Sequence, residues 1–139
     1  MFYLDAALVV TAYCAEPDTE RVQLWLAEHA GERLAISAWV KTEFASATAA
    51  KLRAGSLDAQ LRREALDGFA QLARSSVSLP IDSDRFKDAA RLSDTAASGL
   101  RAGDALHLAI AQAHGATVCT LDRAFAQGCR HLGYPVELV

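Results

Sequence analysis

Short apolar segments alternate with helical segments along all 139 residues of this chain. The segments with strand-like length and apolar character are FYLD (2–5), LAIS (34–37), VSLP (77–80), TVCTLD (117–122) and PVELV (135–139). Strands that are separated by helices are joined by crossover connections, and such connections make neighbouring strands parallel. The alternation therefore predicts an α/β fold of three layers, in which helices cover both faces of a mostly parallel five-stranded sheet.

Capping and breaking residues indicate where the helices begin and end. Ser37 is placed to cap the helix after the second strand, and Gly55 ends that helix. We expect Ser56 to cap the next helix and Asp82 to cap the helix after the third strand. The last predicted strand, PVELV, is expected to lie at an edge of the sheet.

A single domain covering residues 1–139 is expected, because a chain of this length buries a core without disulfides or a structural metal. Hydrophobic residues make up 52% and charged residues 22%, which is typical of a soluble globular protein and excludes a disordered one. The three cysteines are odd in number and widely spaced, as in core residues of a reducing cytoplasm. The first residues lack the basic region of a signal peptide, and no stretch is long enough to span a membrane. We therefore expect a cytoplasmic protein.

Four acidic residues are predicted to lie near the carboxyl ends of the strands. Asp5 ends the first predicted strand, and Asp122 lies immediately beyond the fourth, where it begins the last helix. Glu43 lies two turns into the helix after the second strand, and Asp104 lies near the start of the apolar helix AGDALHLAIAQAHG (102–115). Ligands of open parallel sheets bind beyond the carboxyl ends of the strands, where the strand order reverses. The four acids are thus expected to share one site.

Each acid also has a purely structural interpretation. Asp5 suits a turn at the end of a strand, Asp122 suits a helix N-cap, and Asp104 complements a helix dipole. Glu43 suits the edge of an apolar stripe, with its stem packed and its carboxylate in water. Asp104 and Glu43 both lie among apolar residues, however, and acids are seldom buried without a partner.

If the four carboxylates converge, their mutual repulsion favours the uptake of protons or of a cation. Ligand sets made only of oxygen suit hard ions, so the expected cofactor is Mg²⁺, with Mn²⁺ as the alternative. Such an ion lowers the pKa of a bound water and stabilises the leaving oxygen of a phosphodiester. The predicted chemistry is phosphodiester hydrolysis.

The net charge of −3 argues against nucleic-acid binding, but one segment is locally basic. Two acids lie between residues 41 and 63, against five basic residues: Lys41, Lys51, Arg53, Arg62 and Arg63. This segment is either a solvated helical face or an edge that contacts phosphates, and the sequence leaves both open. The same two interpretations apply to Arg101 and Arg123, which flank Asp104 and Asp122 in the sequence.

His107 lies one helical turn after Asp104. Residues at this spacing can form half of a metal site. The alternative, which we favour, is a buried histidine that is hydrogen-bonded to a neighbour.

The order YLDAALVV, ISAWVKTEFASA, GLRAGDALHLAIAQAHGA and TLDRAF resembles that of the PIN-domain ribonucleases, and most of all the VapC-type toxins of bacterial toxin–antitoxin pairs. The resemblance covers essentially the whole chain. It implies a PIN-like fold and a metal-dependent endoribonuclease, the toxin of a type II pair, whose metal-binding and catalytic acids are Asp5, Glu43, Asp104 and Asp122. It also implies an RNA substrate, a cognate antitoxin that occludes the acidic site, and a homodimer.

One position departs from the family pattern. The family usually has Thr or Ser after its first aspartate, where this chain has Ala6, and the missing hydroxyl weakens the hydrogen bonding around the site. Thr120 matches the family and supplies one hydroxyl near the acids. The main alternative is consequently a catalytically weakened PIN module that acts through protein contacts. A receiver-like phosphoacceptor domain fits less well, because it needs an acceptor Asp where this chain has Pro80.

The expected partner neutralises the acidic site with a basic side chain that pairs with the carboxylates and displaces the metal. Val22, Trp25 and Leu26 are candidate neighbours for an apolar segment of that partner. Packing of these three residues in the core of the domain is the alternative.

Overall fold

The computed structural model describes residues 1–139 and contains one sheet of five strands. The strands are β1 (Phe2–Leu4), β2 (Leu34–Ser37), β3 (Val77–Leu79), β4 (Thr117–Thr120) and β5 (Val136–Leu138). They lie in the order β3-β2-β1-β4-β5, and all four neighbouring pairs are parallel. The prediction of a parallel five-stranded sheet with PVELV at one edge is confirmed.

Helices fill every connection between the strands. They are α1 (Ala6–Tyr13), α2 (Thr19–Glu28), α3 (Ala38–Arg53), α4 (Ala59–Ser75), α5 (Ser83–Asp94), α6 (Ala102–Ala113) and α7 (Arg123–His131), with a 3₁₀ turn at Ala96–Ser98. None of them is both long and apolar enough to cross a membrane.

The strand order places the helices in two layers. From β1 to β3 the chain moves toward one edge of the sheet, and from β3 to β5 it moves back across to the other edge. Because such crossovers are right-handed, the change of direction puts α1–α4 on one face and α5–α7 on the other. The packing agrees: α1 lies against α2, α3 and α4, whereas α5 lies against α6. The predicted three-layer α/β fold is therefore correct.

The core lies on both faces of the central strands. Tyr3, Phe44 and Phe125 are the largest fully buried side chains. Phe44 of α3 packs on Phe69 of α4, with ring centroids 4.3 Å apart. The three cysteines are free and buried, as predicted for core residues.

Several predicted boundaries are wrong by a few residues. The strand β1 ends at Leu4, so Asp5 caps α1 instead of ending the strand, and β4 ends at Thr120, two residues before the end of the predicted segment. Asp122 begins the last helix as its N-cap, as predicted. The fourth helix is capped by Asp58, whose carboxylate accepts hydrogen bonds from two backbone N–H groups, and not by the predicted Ser56. The Ser56 hydroxyl instead donates to the backbone carbonyl of Lys51 at the end of α3.

Candidate metal-binding site at the carboxyl edge of the sheet

Asp5 lies where β1 gives way to α1 and is 4% exposed. Its Oδ1 accepts a hydrogen bond from the backbone N–H of Leu8 (2.9 Å), and its Oδ2 accepts one from the Thr120 hydroxyl (2.5 Å). Burial raises the pKa of Asp5, although His107 and the two hydrogen bonds lower it in part. Asp5 is both an N-cap and a buried carboxylate that a nearby cation would stabilise.

Asp122 lies on the neighbouring strand connection, beyond β4. Its Oδ1 caps α7 by accepting from Ala124 (2.7 Å) and Phe125 (3.0 Å), and its side chain is exposed. The Thr120 hydroxyl accepts from the backbone N–H of Asp122 (2.9 Å) while it donates to Asp5. Thr120 thus joins the two acids on either side of the point where the strand order reverses.

Glu43 lies on α3, in the helical layer opposite to the one that contains α6 and α7. Its Oε2 lies 2.6 Å from Nε2 of His107 on α6, and its side chain is 31% exposed. Its Oε1 faces the start of α6, where a Cβ placed on Gly103 would lie 3.4 Å away. The two layers of helices therefore meet through Glu43 and α6 above the ends of the central strands.

Asp104 lies in the first turn of α6, as predicted, and is half-buried. Its Oδ2 accepts a long hydrogen bond from the backbone N–H of Arg101 (3.4 Å). Burial raises the pKa of Asp104, and the negative charge of Asp122 adds to the increase, while the Arg101 N–H and His107 oppose it. A carboxylate in this environment is also one that a cation would stabilise.

The four acids occupy one region but do not form a closed set of ligands. Thr120 links Asp5 to Asp122, and His107 influences the pKa of both Asp5 and Asp104 while it bonds Glu43. In the present side-chain positions no three His, Cys, Asp or Glu residues lie close enough together to hold a metal ion. The candidate ligand atoms are all carboxylate oxygens, and one of the carboxylates, that of Asp5, is buried. Such oxygen ligands fit a hard divalent cation.

The basic residues of the segment from Lys41 to Arg63 make no salt bridge with any of the four acids. Lys51 pairs with Glu16 (2.6 Å), so its charge is already matched within the protein. Arg53 lies ten residues beyond Glu43 on α3, about 15 Å along the helix axis. Arg53, the last residue of α3, is exposed. In the first turns of α4, Arg62 is half-buried and Arg63 is exposed.

The two arginines next to the acids lie closer to the site. Arg101 and Arg123 are both exposed. Arg101 directly precedes α6, which carries Asp104, and Arg123 is the first residue of α7, which Asp122 caps. Neither makes a salt bridge within the protein, so both guanidinium groups are available to an anionic ligand.

The apolar residues considered for a partner belong mostly to the core. Val22 is fully buried and Trp25 is 9% exposed, while Leu26 packs against the core from a half-buried position. The alternative of core packing is therefore the correct one. The large apolar side chain that α2 exposes is Leu24, at 59%.

Tyr3 and Ser37 were not predicted to belong to the site, although Ser37 was predicted, correctly, to cap α3. Tyr3 Oη lies 2.9 Å from Nδ1 of His107 and 2.8 Å from Oγ of Ser37, and both Tyr3 and Ser37 are fully buried. The favoured interpretation of His107 as a buried, hydrogen-bonded histidine is correct, since it is 3% exposed with a partner on each ring nitrogen. The sequence feature that could have indicated this role is the hydroxyl of Tyr3 in an otherwise apolar strand.

Comparison with known proteins identifies the family. The PIN domain family model matches residues 2–130, and the chain therefore belongs to the PIN domain family. No match is found among curated protein sequences.

Solved structures share the fold at low sequence identity. VapBC2 from Rickettsia felis, bound to a DNA fragment from its promoter, is 22% identical with a TM-score of 0.71, over 99% of this chain and 98% of that one. FitAcB from Neisseria gonorrhoeae is 19% identical with a TM-score of 0.68, over 98% and 96%. PAE2754 from Pyrobaculum aerophilum is 18% identical with a TM-score of 0.69, over 97% and 89%. At these identities the likeness establishes the fold.

Proposed function

We propose that this chain is a metal-dependent endoribonuclease and the toxin of a type II toxin–antitoxin pair. One observation supports the proposal most strongly: Thr120 links Asp5 and Asp122 at the two strand ends where the strand order reverses, and Glu43 bonds His107 on the helix that carries Asp104. Membership of the PIN domain family and the resemblance to VapC-type toxins point the same way.

The residues that would hold Mg²⁺, or Mn²⁺ in its place, are Asp5, Glu43, Asp104 and Asp122. When bound, the cation supplies an activated water and charge stabilisation for phosphodiester hydrolysis. The protein's own contribution is orientation: Thr120 and Leu8 fix the Asp5 carboxylate, and His107 fixes that of Glu43. Burial raises the pKa of Asp5 and of Asp104, because it disfavours their negative charges. A bound cation would compensate these charges and so stabilise both carboxylates.

Arginines surrounding the site are proposed to contact the RNA backbone. Arg101 and Arg123 flank two of the acids and are exposed, which suits contact with phosphates next to the scissile bond. Arg53, Arg62 and Arg63 lie farther away and suit contacts along the strand.

The proposed partner is a cognate antitoxin that covers the carboxyl edge of the sheet. A partner guanidinium entering the site would pair with the carboxylates and compete with the cation. The toxin is further proposed to act in the cytoplasm as a homodimer. Metal-dependent loss of antitoxin binding would support the competition, whereas equal binding at zero and saturating Mg²⁺ would contradict it.

A second candidate is a catalytically weakened PIN module that acts through protein contacts. Ala6 favours this candidate, because it is buried at the first position of α1, directly after Asp5, and offers no hydroxyl. The two candidates differ in whether the purified chain turns over RNA.

Cleavage of single-stranded RNA by the purified chain tests the proposal. We expect cleavage in Mg²⁺ or Mn²⁺, none in EDTA, and a loss of at least about 100-fold in Asp104→Asn, because one negative ligand is removed. The matched control is Asp67→Asn, which neutralises an exposed acid on α4 and should cleave like the wild type. Cleavage that persists in EDTA or in Asp104→Asn would contradict the proposal, and absence of cleavage by the wild type would favour the weakened module.

A further inference from the structure

A continuous chain of hydrogen bonds runs from the sheet to Glu43. Ser37 Oγ and Tyr3 Oη are 2.8 Å apart, Tyr3 Oη and His107 Nδ1 are 2.9 Å apart, and His107 Nε2 and Glu43 Oε2 are 2.6 Å apart. The four residues come from β1, β2, α3 and α6. The chain thus ties Glu43 to the two strands beneath it.

The inner members of this chain are sealed from water. Tyr3 and Ser37 are fully buried and His107 is 3% exposed, so each polar atom depends on its protein partner. A buried polar group without a partner costs about 1–3 kcal/mol. A leucine or phenylalanine in place of the histidine would avoid that risk, so packing alone does not explain a histidine here.

The hydrogen-bond partners of His107 determine which of its ring nitrogens carries the proton that is donated to Glu43. A carboxylate only accepts, so His107 Nε2 donates to Glu43 Oε2. The hydroxyls of Tyr3 and Ser37 both donate and accept, and Ser37 Oγ also accepts from the backbone N–H of Val40. Burial raises the pKa of Tyr3, so its phenol keeps the proton that it shares along the chain.

We propose that His107 is a positioning residue for the metal site: it occupies Oε2 of Glu43 and leaves Oε1 as the oxygen that binds the cation. This inference rests on the proposed function. Tyr3 and Ser37 support the role by holding the imidazole ring from its other side. Glu43 therefore binds the cation through one oxygen, in an orientation set by the sheet.

Two substitutions of His107 separate this role from simple packing. In His107→Gln the side-chain amide nitrogen reaches the position of Nε2 and keeps a donor for Glu43. In His107→Asn the amide reaches only the position of Nδ1, so Tyr3 keeps a partner and Glu43 loses its donor. Both variants remove the ring, so a packing effect is common to both.

The experiment is Mn²⁺ titration of the full chain, without RNA, followed by calorimetry and by electron paramagnetic resonance of free Mn²⁺. We expect His107→Asn to weaken Mn²⁺ binding about 10- to 100-fold, the range for hydrogen-bond partners of metal ligands, and His107→Gln to restore most of it. Equal affinity in all three proteins, or equal loss in both variants, would overturn the positioning role. No Mn²⁺ binding by the wild type would overturn the proposed metal site itself.

Tyr3→Phe provides a second variant if His107→Asn does not fold. It removes the hydroxyl that holds Nδ1 while it preserves the aromatic ring and the donor to Glu43. We expect a smaller loss of Mn²⁺ affinity, about several-fold, because the ring is still present but less constrained. Unchanged affinity in Tyr3→Phe would overturn the proposed support from the sheet.

Discussion

The Thr120 hydroxyl donates a hydrogen bond to Oδ2 of Asp5 at 2.5 Å, although the two residues lie 115 positions apart in the sequence. The pairing follows from the sheet, in which β1 and β4 are parallel neighbours with Leu4 opposite Cys119. One residue farther along, Asp5 follows the end of β1 beside Thr120, the last residue of β4. The same hydroxyl accepts from the backbone N–H of Asp122, so a single side chain sets the relation between two of the acids.

Replacing Thr120 by valine should destabilise the protein. The change leaves Oδ2 of the buried Asp5 without its hydroxyl donor and removes the acceptor of the Asp122 N–H, and the expected loss is about 2 kcal/mol. Thr120→Ser keeps the hydroxyl and should retain most of the stability. Urea unfolding of the three proteins measures the difference, and a valine variant as stable as the serine variant would contradict this role of the hydroxyl.

Asp104→Asn should make the metal-free protein more stable, and increasingly so as the pH rises. Burial raises the pKa of Asp104 in the folded state, with the Asp122 charge adding to it. The folded protein then holds the proton more tightly than the unfolded chain, so stability is lost as the pH rises from the ordinary carboxyl pKa through the raised one. The asparagine has no proton to lose and escapes this loss.

Thermal unfolding in EDTA between pH 3 and 8 tests the effect of Asp104→Asn. The gap in Tm between the variant and the wild type should widen with pH. Asp67→Asn is the control, since water surrounds that exposed carboxylate and no burial is relieved. A gap that narrows with rising pH would show that the Asp104 charge is stabilised in the folded protein.

Removing Arg53, Arg62 and Arg63 together should weaken RNA binding and flatten its dependence on salt. Each phosphate that an arginine neutralises on a single strand adds about 0.7 to the slope of log affinity against log salt, so removing all three arginines should reduce the slope by about 2. A control with the same change in charge replaces Arg33, which directly precedes β2, and Arg74 and Arg130, which lie near the ends of the helices that lead into β3 and β5. Equal slopes in the two triple variants would assign the first three arginines to a solvated surface.

Ala6→Ser should increase the affinity of the site for Mn²⁺ if the absence of a hydroxyl at this position weakens metal binding. Ala6 is buried at the start of α1, next to Asp5, and serine adds only one oxygen. We expect a gain in Mn²⁺ affinity of up to about 10-fold, in line with the contribution of hydrogen-bond partners to metal sites. The measurement is Mn²⁺ titration. An unchanged or lower affinity would mean that Ala6 does not limit the site.

The local pattern of the sequence was sufficient to predict the layers and the edge at which the acids lie. Strand–helix alternation predicts parallel crossovers. Asp5 directly follows β1 and Asp122 lies two residues after β4, so their placement needed no knowledge of the remaining contacts. The contact of Glu43 with His107 could not be predicted in the same way. It joins opposite helical layers across 64 positions and depends on the strand order, which short-range patterns do not encode.

Smaller errors have local causes. Ser56 and Asp58 both suit an N-cap, and the choice of Asp58 depends on where the chain turns after Gly55, whose φ of +73° takes it out of α3. The single-residue shift at Asp5 arises because a capping residue has extended backbone angles, like those of a strand, while its side chain already serves the helix.

The central claim is that Asp5, Glu43, Asp104 and Asp122 together hold a divalent cation. Anomalous diffraction from crystals grown in Mn²⁺ tests it most directly, because the scattering of manganese locates the ion independently of the protein. We predict one or two anomalous peaks at the carboxyl edge of the sheet, coordinated by at least three of the four carboxylates and by Oε1 rather than Oε2 of Glu43. Fully ordered crystals at millimolar Mn²⁺ with no peak at this edge, or with manganese bound only elsewhere, would contradict the claim.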